Sequence, residues 1–320
     1  MNKTLIQIIT LLRHDHYING DVIGKALNMT RAGVWKNIHK LQRDYHIPID
    51  TQKGKGYRLK TPLVLLNQHK IAKALSQHDL YLECFNSIDS TNRWLKTQPY
   101  HAKYHICLAE HQSTGKGRFN RVWLSPFGQN IYLSLKSVLA KDSSELAGLS
   151  LSIGVIIVKS LVSLYPEISP LIKWPNDIYL DGKKLAGILI EVKAESNDKS
   201  ELIIGIGLNV NMTEAICLDN AWTSLASSCQ KSFDREPLVI RLIENLLTGL
   251  ECFEKSGFRA FQEDYQRCDF LQGKSVTLTL PNDVHIAGVY QGISQLGQLI
   301  INHAGKNRAF ASGEVQIKNR

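Results

Sequence analysis

The stretch CLAEHQSTGKGRFNRVWLSPFGQNIYLSL, residues 107–135, places a cationic loop between two segments that read as strands. The loop, residues 115–121 (GKGRFNR), has two glycines whose backbone freedom allows it to fold over a ligand. Lys116, Arg118 and Arg121 supply positive charge suited to phosphate. The pattern predicts a cover for an anionic ligand; the alternative is a solvated basic hairpin loop.

Three further polar or glycine-bearing segments interrupt apolar, strand-like runs farther along the chain. They are 173–177 (KWPND), 183–191 (KKLAGILIE) and 205–211 (GIGLNVN). Together with the cationic loop, they indicate that one sheet carries one site.

With 90–92 (STN) and 222–225 (WTSL), these segments resemble the biotin protein ligases, specifically the bifunctional type that also represses the biotin operon. The resemblance covers essentially the whole chain. Its most specific parts are the glycine-basic loop, KWPND and KLAGILIE in that order and spacing, since any one of them alone would be weak.

The resemblance implies an ATP-dependent ligase that forms biotinyl-5'-AMP from its substrates, biotin and ATP. The enzyme would then transfer biotin to a lysine of the biotin carboxyl carrier protein of acetyl-CoA carboxylase. Mg²⁺ would be bound through the phosphates, with no confident protein ligand. As a homodimer with biotinyl-AMP bound, the protein would bind operator DNA and repress transcription.

The length of 320 residues predicts two or three domains, because it exceeds what one compact core usually holds. With the resemblance, we expect a winged helix-turn-helix DNA-binding domain over 1–62, a biotin ligase catalytic domain over 63–270 and a small SH3-like β-barrel over 271–320. The fold class is α+β, with a central mixed β-sheet and helices on one side. No strand is followed by a G-x-G-x-x-G segment that opens a helix, which argues against a Rossmann fold.

The positive charge is concentrated at the N-terminus. Residues 1–60 hold eleven Lys and Arg against four Asp and Glu, so they carry +7 of the net charge of +9. Localised charge of this kind is typical of a nucleic-acid binder, because each neutralised phosphate releases condensed counterions.

The N-terminal pattern is helix, helix, turn, helix, hairpin. Apolar residues at helical spacing predict two helices, with Leu5, Ile8, Ile9 and Leu12 in the first and Val22, Ile23, Ala26 and Leu27 in the second. Thr30 is the expected N-cap of a third helix that buries Val34, Ile38 and Leu41. Residues 47–51 and 57–59 read as the two strands of a wing.

The exposed face of the third helix and the wing supply the candidates for contact with phosphates and base edges. They are Thr30, Arg31, Trp35, Lys36, Asn37, Lys40, Lys53 and Lys55. The alternative is a small helical interaction domain with an ordinary charged face. A single short recognition helix reads few base pairs, so tight operator binding implies a dimer.

The rest of the chain is rich in predicted strands. In the central part these are 80–85, 104–109, 130–135, 171–173, 177–180, 187–192 and 202–210, with helices over about 67–75, 144–164 and 237–255 and a stop at Gly257. In the C-terminal part they are 275–280, 285–290, 297–302, 309–311 and 315–318, with a turn at 281–283. The C-terminal part reads as a small barrel, which could be a packing cap without chemistry.

Lys184 matches the family's active-site lysine and, by the resemblance, contacts the biotin carboxylate and the α-phosphate; the alternative is an exposed lysine of a turn. Arg118 is the second expected catalytic residue, and with Lys116 it matches loop positions that close over the intermediate. The residues that match the family's ligand contacts are Ser90, Thr91, Asn92, Gln112, Gly115, Lys116, Gly117, Arg118, Trp123, Asn176, Asp177, Lys184, Gly187, Ile188, Gly205, Gly207 and Asn209.

Several of these residues have open alternatives. Ser90 could be a plain helix N-cap, and Trp123, which matches an adenine-facing position, could be a core residue. The three glycines at 187, 205 and 207 could serve sheet packing rather than the close approach of a ligand. The residues Asn176, Asp177 and Asn209 would orient the phosphates, Lys184 or Mg²⁺, in no fixed order.

The loop departs from the family pattern at two positions. Lys116 replaces an arginine and Asn120 replaces a glycine. Lysine lacks the bidentate fork of arginine, and asparagine adopts a left-handed backbone less readily than glycine. These changes bear on retention of the intermediate and on loop closure more than on activity.

Cysteines and hydropathy predict a cytoplasmic protein. The six cysteines, at 84, 107, 217, 229, 252 and 268, form no C-x-x-C pair and lack histidines at zinc-ligand spacing, so we expect reduced, mostly buried thiols. Residues 1–12 read as a helix rather than a signal peptide. We expect no apolar run near the ~20 residues needed to cross a bilayer, and no membrane partner.

Two other functions compete with the ligase-repressor. One is a transcription factor that senses an adenylate or a small acid with a retired ligase domain; the joint presence of Lys184, Arg118 and KWPND argues against it. The other is an acyl-protein ligase for lipoate or an octanoyl group, which shares the sheet. KWPND and the glycine-basic loop favour biotin.

Overall fold

The computed structural model describes residues 1–196, 199–213, 221–281 and 283–317, with the side chains of 193–196 left aside. The expected order of domains and the mixed central sheet are confirmed, but the expectation that its helices lie on one side is wrong, since the short helix Thr91–Thr97 packs on the face opposite the two long helices. A helical module with a two-stranded wing comes first, a seven-stranded mixed sheet with helices follows, and a five-stranded antiparallel sheet ends the described chain. The domain limits at 62 and 270 stay predictions.

The N-terminal module has three helices and a wing. Its elements are α1 (Lys3–Leu11), α2 (Gly20–Leu27), α3 (Arg31–Tyr45), β1 (Ile49–Gln52) and β2 (Gly56–Leu59). As predicted, Thr30 caps α3, since its Oγ1 accepts a hydrogen bond of 3.1 Å from the amide of Gly33. The predicted stripe of Val34, Ile38 and Leu41 is buried.

The stripe expected for α2 is wrong in part. Ile23 is fully buried, but Val22 is 58% exposed. The helix has only eight residues, and Gly24 lies on its buried face. The peptide of Met29 comes so close that a Cβ at Gly24 would lie 2.6 Å from its carbonyl oxygen.

The central sheet has the order β3-β4-β5-β9-β8-β7-β6. Its strands are β3 (Leu80–Phe85), β4 (Tyr104–Ala109), β5 (Ile131–Leu139), β6 (Leu171–Lys173), β7 (Asp177–Leu180), β8 (Lys183–Ser196) and β9 (Lys199–Leu208). The pair β3 and β4 is parallel, and every other neighbouring pair is antiparallel.

Strand register brings three of the sequence motifs side by side. Lys173 on β6 pairs with Asp177 on β7, Asp177 pairs with Gly187 on β8, and Gly187 pairs with Gly207 on β9. Neighbouring strands lie about 4.8 Å apart, so KWPND, KLAG and GIG form one row across the sheet. The expectation that one sheet carries one site is confirmed in this respect.

Helices cover both faces of this sheet. They are α4 (Gln68–Ala74), α5 (Thr91–Thr97), α6 (Leu149–Leu164), α7 (Leu225–Cys229), α8 (Arg235–Ser256) and α9 (Gln262–Arg267). The long helices α6 and α8 pack together on one face. The short α5 lies on the other face, where Leu95 packs with Cys107 and Ile203, whose neighbours in β4 and β9 point to the main core.

The expectation that no apolar run approaches a membrane-spanning length is wrong. Ser143–Leu164, which joins a short 3₁₀ turn to α6, is long and apolar enough by length and composition. Most of it is buried inside the protein, between the sheet and α8. Its hydrophobicity on all sides is therefore that of a core helix.

The C-terminal sheet has the order β13-β12-β11-β10-β14, of the kind expected for a small SH3-like barrel. Its strands are β10 (Ser275–Thr279), β11 (His285–Ile293), β12 (Leu299–His303), β13 (Lys306–Phe310) and β14 (Glu314–Ile317). The indole of Trp174 donates a hydrogen bond of 3.0 Å to the carbonyl of Gly297 and so ties the two sheets together. The predicted positions Asn282 and Lys318 lie outside the described residues.

The N-terminal module packs directly on the central domain. The ring of Tyr45, at the end of α3, lies 4.8 Å from the ring of His111. The backbone amide of Phe127 donates to the carbonyl of Tyr45, and the amide of Gln129 donates to the carbonyl of His46. Phe127 belongs to the core of the N-terminal module although it follows the cationic loop in sequence.

The expectation of mostly buried thiols is wrong for the five cysteines that the structure describes, of which two are buried. Cys107 and Cys268 are buried, Cys84 and Cys229 are half-buried, and Cys252 is exposed; all five are free thiols. Cys217 lies outside the described residues.

Candidate active site

One cavity of about 830 Å³ opens on the row of motifs. Its walls come from the start of α5, the cationic loop, β6 to β9 and the beginning of β14. All of the residues predicted to bind ligand line this cavity except Gly115. Gly115 acts next to it: a Cβ there would lie 2.7 Å from the carbonyl oxygen of Trp123, so only glycine lets the two ends of the loop approach.

The glycines at the floor of the cavity make room for two side chains. A Cβ at Gly187 would lie 3.1 Å from the ring of Trp123, and one at Gly207 would overlap the same ring. A Cβ at Gly205 would overlap the amide of Asn92. The close approach predicted for these glycines is therefore real, but here side chains occupy it.

One end of the cavity holds a network of polar side chains. Gln112 Oε1 accepts hydrogen bonds from the amide and the hydroxyl of Thr91, at 2.9 and 3.1 Å. The hydroxyl of Ser134 lies 2.6 Å from both Thr91 Oγ1 and Asn92 Oδ1. Ser90 caps α5, as one of its two interpretations predicted, and it also lines the cavity, while its contact with a ligand stays a prediction.

This network is anchored from outside the cavity by Glu191, the last residue of the KKLAGILIE segment. Its carboxylate accepts a hydrogen bond of 2.8 Å from Asn92 and forms an ion pair of 2.7 Å with Lys96. Both Ser134 and Glu191 were missed as site residues. Glu191 lies in the KLAGILIE motif, which was the available signal for it, whereas nothing in the local sequence marks Ser134, which strand pairing places opposite Gly205.

Lys184 and Asp177 form the charged centre of the cavity. Lys184 Nζ lies 2.7 Å from Asp177 Oδ1 and 5.5 Å from the centroid of the Trp123 ring. The two-residue turn Asp181-Gly182 has both residues left-handed, at φ 52° and 73°, as a tight hairpin requires. The hairpin aims Lys184 into the cavity and leaves its neighbour Lys183 exposed.

Arg118 reaches from the cationic loop across the cavity. Its guanidinium donates to Asn176 Oδ1 and to the carbonyl of Gly313, both at 3.3 Å. Burial lowers the pKa of Arg118, because loss of water disfavours its charged form more than the nearby carboxylates of Asp177 and Glu314 favour it. Asn176 is itself fixed, because its amide donates to the carbonyl of Ile188 at 2.9 Å.

The backbone of the loop is left-handed at two successive residues. Phe119 has φ 55° and Asn120 has φ 57°. Asn120 therefore stands where the left-handed conformation favours the glycine of the family pattern. Its Oδ1 accepts a hydrogen bond of 3.2 Å from Lys116, the other residue that departs from the pattern.

Asn209 is held beside the WTSL segment rather than pointing freely into the cavity. Its amide donates 3.0 Å to the carbonyl of Thr223, and its backbone amide donates to Leu185. It lines the cavity, so a ligand would meet a side chain that is already fixed.

The C-terminal sheet contributes to the site, which the sequence left open. Glu314 accepts two hydrogen bonds from Arg121, at 2.5 and 2.7 Å, which lower the pKa of Glu314. Glu314, Val315 and Gln316 line the cavity. No sequence signal joins residue 121 to residue 314.

The predicted DNA-contact residues are mostly exposed. On α3 and its cap these are Thr30, Arg31, Trp35, Lys36 and Lys40, and on the wing they are Lys53 and Lys55. Asn37 differs, because it is half-buried and its amide donates to the carbonyl of Gly33 at 2.8 Å. Their roles stay predictions.

Two families match this chain. The biotin/lipoate A/B protein ligase family matches residues 84–209, and an HTH domain matches residues 4–58. The bifunctional ligase/repressor BirA of Escherichia coli is 33% identical over 321 aligned positions, which cover 99% of this chain and 98% of the relative. The protein of the same name from Bacillus subtilis is 31% identical, over 80% of this chain and 78% of its own length.

A similar solved structure is the biotin protein ligase of Aquifex aeolicus in complex with biotin and ATP. It has a TM-score of 0.63 and 29% identity, and the match covers 75% of this chain and 99% of that one. The fold and the cavity thus define a protein ligase joined to a helix-turn-helix module. The chain belongs to the biotin protein ligase family, in its bifunctional ligase/repressor form.

Proposed function

We propose that this protein uses ATP to activate biotin as biotinyl-5'-AMP and transfers the biotinyl group to a lysine of a biotin carboxyl carrier protein. The observation that carries the proposal is the single cavity in which the Lys184–Asp177 pair, Arg118 and the polar network around Gln112 face one another. With biotinyl-AMP bound, a dimer would repress transcription from its operator.

In the first step a biotin carboxylate oxygen forms a bond to the α-phosphorus of ATP. The bond from that phosphorus to the bridging oxygen breaks, and the electron pair leaves with pyrophosphate. Both reactants are anions, so fixed cations lower the barrier more than a general base would. Lys184 would hold the carboxylate and the α-phosphate together, and Asp177, which lies 2.7 Å from its Nζ, would hold the ammonium group.

In the second step the amine of the acceptor lysine attacks the biotinyl carbonyl carbon. The carbon–nitrogen bond forms, the bond to the phosphate oxygen breaks, AMP leaves and the amine proton passes to solvent. Arg118, half-buried above Asn176, covers the mixed anhydride and excludes water until the acceptor arrives.

The polar network supplies the expected contacts for the head of biotin. A cyclic urea offers two N–H donors and one carbonyl acceptor, which complement the oxygens and hydroxyls of Thr91, Asn92, Gln112 and Ser134. Lipoate has no such donors, so its head would gain no hydrogen bonds of this kind from the network. This difference favours biotin.

Mg²⁺ fits the cavity as an ion brought by the nucleotide. Among the described residues, no group of three or more His, Cys, Asp or Glu side chains could hold a metal. Asp177 and the amide oxygen of Asn176 are the groups that would complete its coordination, as one or two protein ligands commonly do for Mg²⁺. When bound, the ion would neutralise part of the phosphate charge.

The first test is incubation with ATP, Mg²⁺, biotin and a biotin-acceptor domain, with the mass of the acceptor as the readout. A gain of one biotinyl group is expected, and none with lipoate or octanoate in place of biotin. Modification by lipoate instead would move the assignment to the lipoate branch of the family.

Repression is supported by the exposed basic face of α3 and the wing. We expect duplex DNA containing the operator to bind more tightly when biotin and ATP are present. Lys36→Ala should weaken binding and lower the slope of log K against log salt by about 1, since one phosphate contact is lost. Lys199→Ala, an exposed lysine outside this module, is the matched control.

Dimerisation and a cytoplasmic location complete the proposal. A two-fold dimer would present two copies of α3 to adjacent half-sites. The five free thiols of the described chain suit a reducing compartment. Analytical sedimentation with and without biotinyl-AMP measures dimerisation directly.

A further inference from the structure

The cavity holds a cation that the chemistry above has not used. Lys173 ends β6 and pairs in register with Asp177 on β7, so both side chains stand on the cavity face of the sheet. Its Nζ donates to the hydroxyl of Tyr179 at 3.3 Å and lies 5.1 Å from the centroid of that ring.

Charge around the cavity is not balanced. Within the described chain, the cations that line it are Lys116, Arg118, Arg121, Lys173 and Lys184. The carboxylates that line it, Asp177 and Glu314, are already paired with Lys184 and Arg121, at 2.7 and 2.5 Å. In the described part of the chain, no carboxylate forms an ion pair with Lys173, whose pKa is lowered by burial. A half-buried ammonium group whose nearby carboxylates are already paired with other cations suits an anionic ligand.

The strand order shows on which side of the Lys184–Asp177 pair Lys173 lies. From β5 to β6 the face of the sheet presents the polar network at Ser134, the glycine floor, the Lys184–Asp177 pair and then Lys173. Biotin with its head at the polar network brings its carboxylate toward Lys184 from the β5 side. In-line displacement at phosphorus then sends the leaving group to the opposite side, which is that of β6.

We propose that Lys173 binds the β- and γ-phosphates of ATP and stabilises the pyrophosphate as it leaves. The bond that breaks joins the α-phosphorus to the bridging oxygen, which takes the electron pair; Lys173 stabilises that negative charge, and Tyr179 holds the ammonium group in place. The inference rests on the proposed ligase function and adds a leaving-group subsite to it.

The test separates the two steps, because pyrophosphate takes part only in the first. Lys173→Met is compared with wild type in biotin-dependent ATP–pyrophosphate exchange, and in single-turnover transfer from isolated biotinyl-AMP to the acceptor domain. We expect the KM for ATP and the inhibition constant of pyrophosphate to rise roughly 10- to 100-fold, the effect of one charged contact. Transfer from supplied biotinyl-AMP should stay within about twofold.

Lys274→Met is the matched control. Lys274 is a nearby lysine whose Nζ lies 3.4 Å from the centroid of the Phe270 ring, outside the cavity lining. This variant should bind ATP and pyrophosphate as wild type does. Lys173→Gln, a neutral variant of similar polarity, gives a second reading if Lys173→Met folds poorly.

Three outcomes would overturn the inference. One is unchanged pyrophosphate inhibition in a folded Lys173 variant, and another is a loss of transfer as large as the loss of exchange. The third is wild type with no biotin-dependent exchange, which would remove the proposed function as well. Normal wild-type exchange with an unaffected variant would remove the role of Lys173 alone.

Discussion

Two adjacent lysines at the start of β8 stand in different surroundings. Lys184 lies in the cavity beside Asp177, whereas Lys183 is exposed to solvent. We expect Lys184→Ala to slow ligation by roughly 10²- to 10³-fold, because a cation that stabilises developing charge is lost. Initial rates of biotin transfer to an acceptor domain measure the effect.

Lys183→Ala is the control for this prediction and should retain activity within about twofold. Thermal unfolding of both variants should match wild type. Near-normal turnover of a folded Lys184→Ala protein would remove Lys184 from the mechanism.

Two glycines near the cavity differ in how much space surrounds them. A Cβ at Gly207 would overlap the ring of Trp123, whereas one at Gly117 would find its nearest neighbour 3.8 Å away. Gly207→Ala should therefore displace Trp123 and weaken biotinyl-AMP binding at least about tenfold, while Gly117→Ala should stay within about threefold. Isothermal titration compares them; equal affinities would show that the indole moves freely.

The residues that the sequence identified share one property: each lies in a short motif on a strand or on a segment that follows one. Strand register then collects them, as it does for Asp177, Gly187 and Gly207. Ser134 and Glu314 were not identified, because their positions in the site depend on which strands pair and on how the C-terminal sheet packs. Those are long-range properties that a local pattern does not contain.

At the scale of elements, the start of α8 holds the linker that follows the wing. Arg235, the first residue of the helix, and Glu110, which follows β4, form a buried ion pair of 2.6 Å, with each side chain 2% exposed. Arg235 also donates to the carbonyl of Val64, and Glu110 accepts from the amide of Leu66. The linker backbone is therefore bonded to both members of the pair.

We expect Arg235→Met to lower the free energy of unfolding by about 3–5 kcal/mol, because it leaves a buried carboxylate unpaired. Lys231→Ala, which breaks an exposed pair with Glu167, should cost less than about 1 kcal/mol. Urea denaturation followed by tryptophan fluorescence gives both values. Similar losses in the two variants would mean that the buried pair adds no more than a surface one.

The limits of several strands were predicted correctly where the local sequence has clear alternation and turn residues. The strands β3, β4, β6 and β7 begin and end where alternation and turn residues predicted. The helix predicted over 144–164 is instead interrupted at Gly148, whose left-handed backbone, φ 80°, packs against Phe258. That contact comes from the tertiary fold and is absent from the local pattern, which therefore predicted one continuous helix.

At the scale of the whole molecule, His111 joins the DNA-binding module to the ligase domain. Burial, with His46 and the N-terminal amine nearby, lowers the pKa of His111 to about 4. The unfolded chain takes up a proton near pH 6.5 that the folded protein accepts only near pH 4. The contribution of His111 to the free energy of unfolding is therefore fully present above about pH 6.5. It is lost as the pH drops toward 4, and the loss is at most ~3 kcal/mol.

His111→Gln should flatten this part of the pH dependence. Urea unfolding of both proteins at pH 7.5, 6 and 5 measures it, and the difference between variant and wild type isolates His111 from other titrating groups. Parallel pH profiles would contradict the prediction.

Glu110, His111 and Gln112 are consecutive, yet they contact three different parts of the protein: the linker and α8, the ring of Tyr45 and the hydroxyl of Thr91. A single peptide bond thus separates a residue that lines the cavity from a contact with the DNA-binding module. Linkage is reciprocal. If biotinyl-AMP raises the affinity for the operator through this bond, the operator raises the affinity for biotinyl-AMP by the same factor. Operator-bound protein would therefore hold biotinyl-AMP more tightly than free protein does, which would couple transcription to the stock of activated biotin.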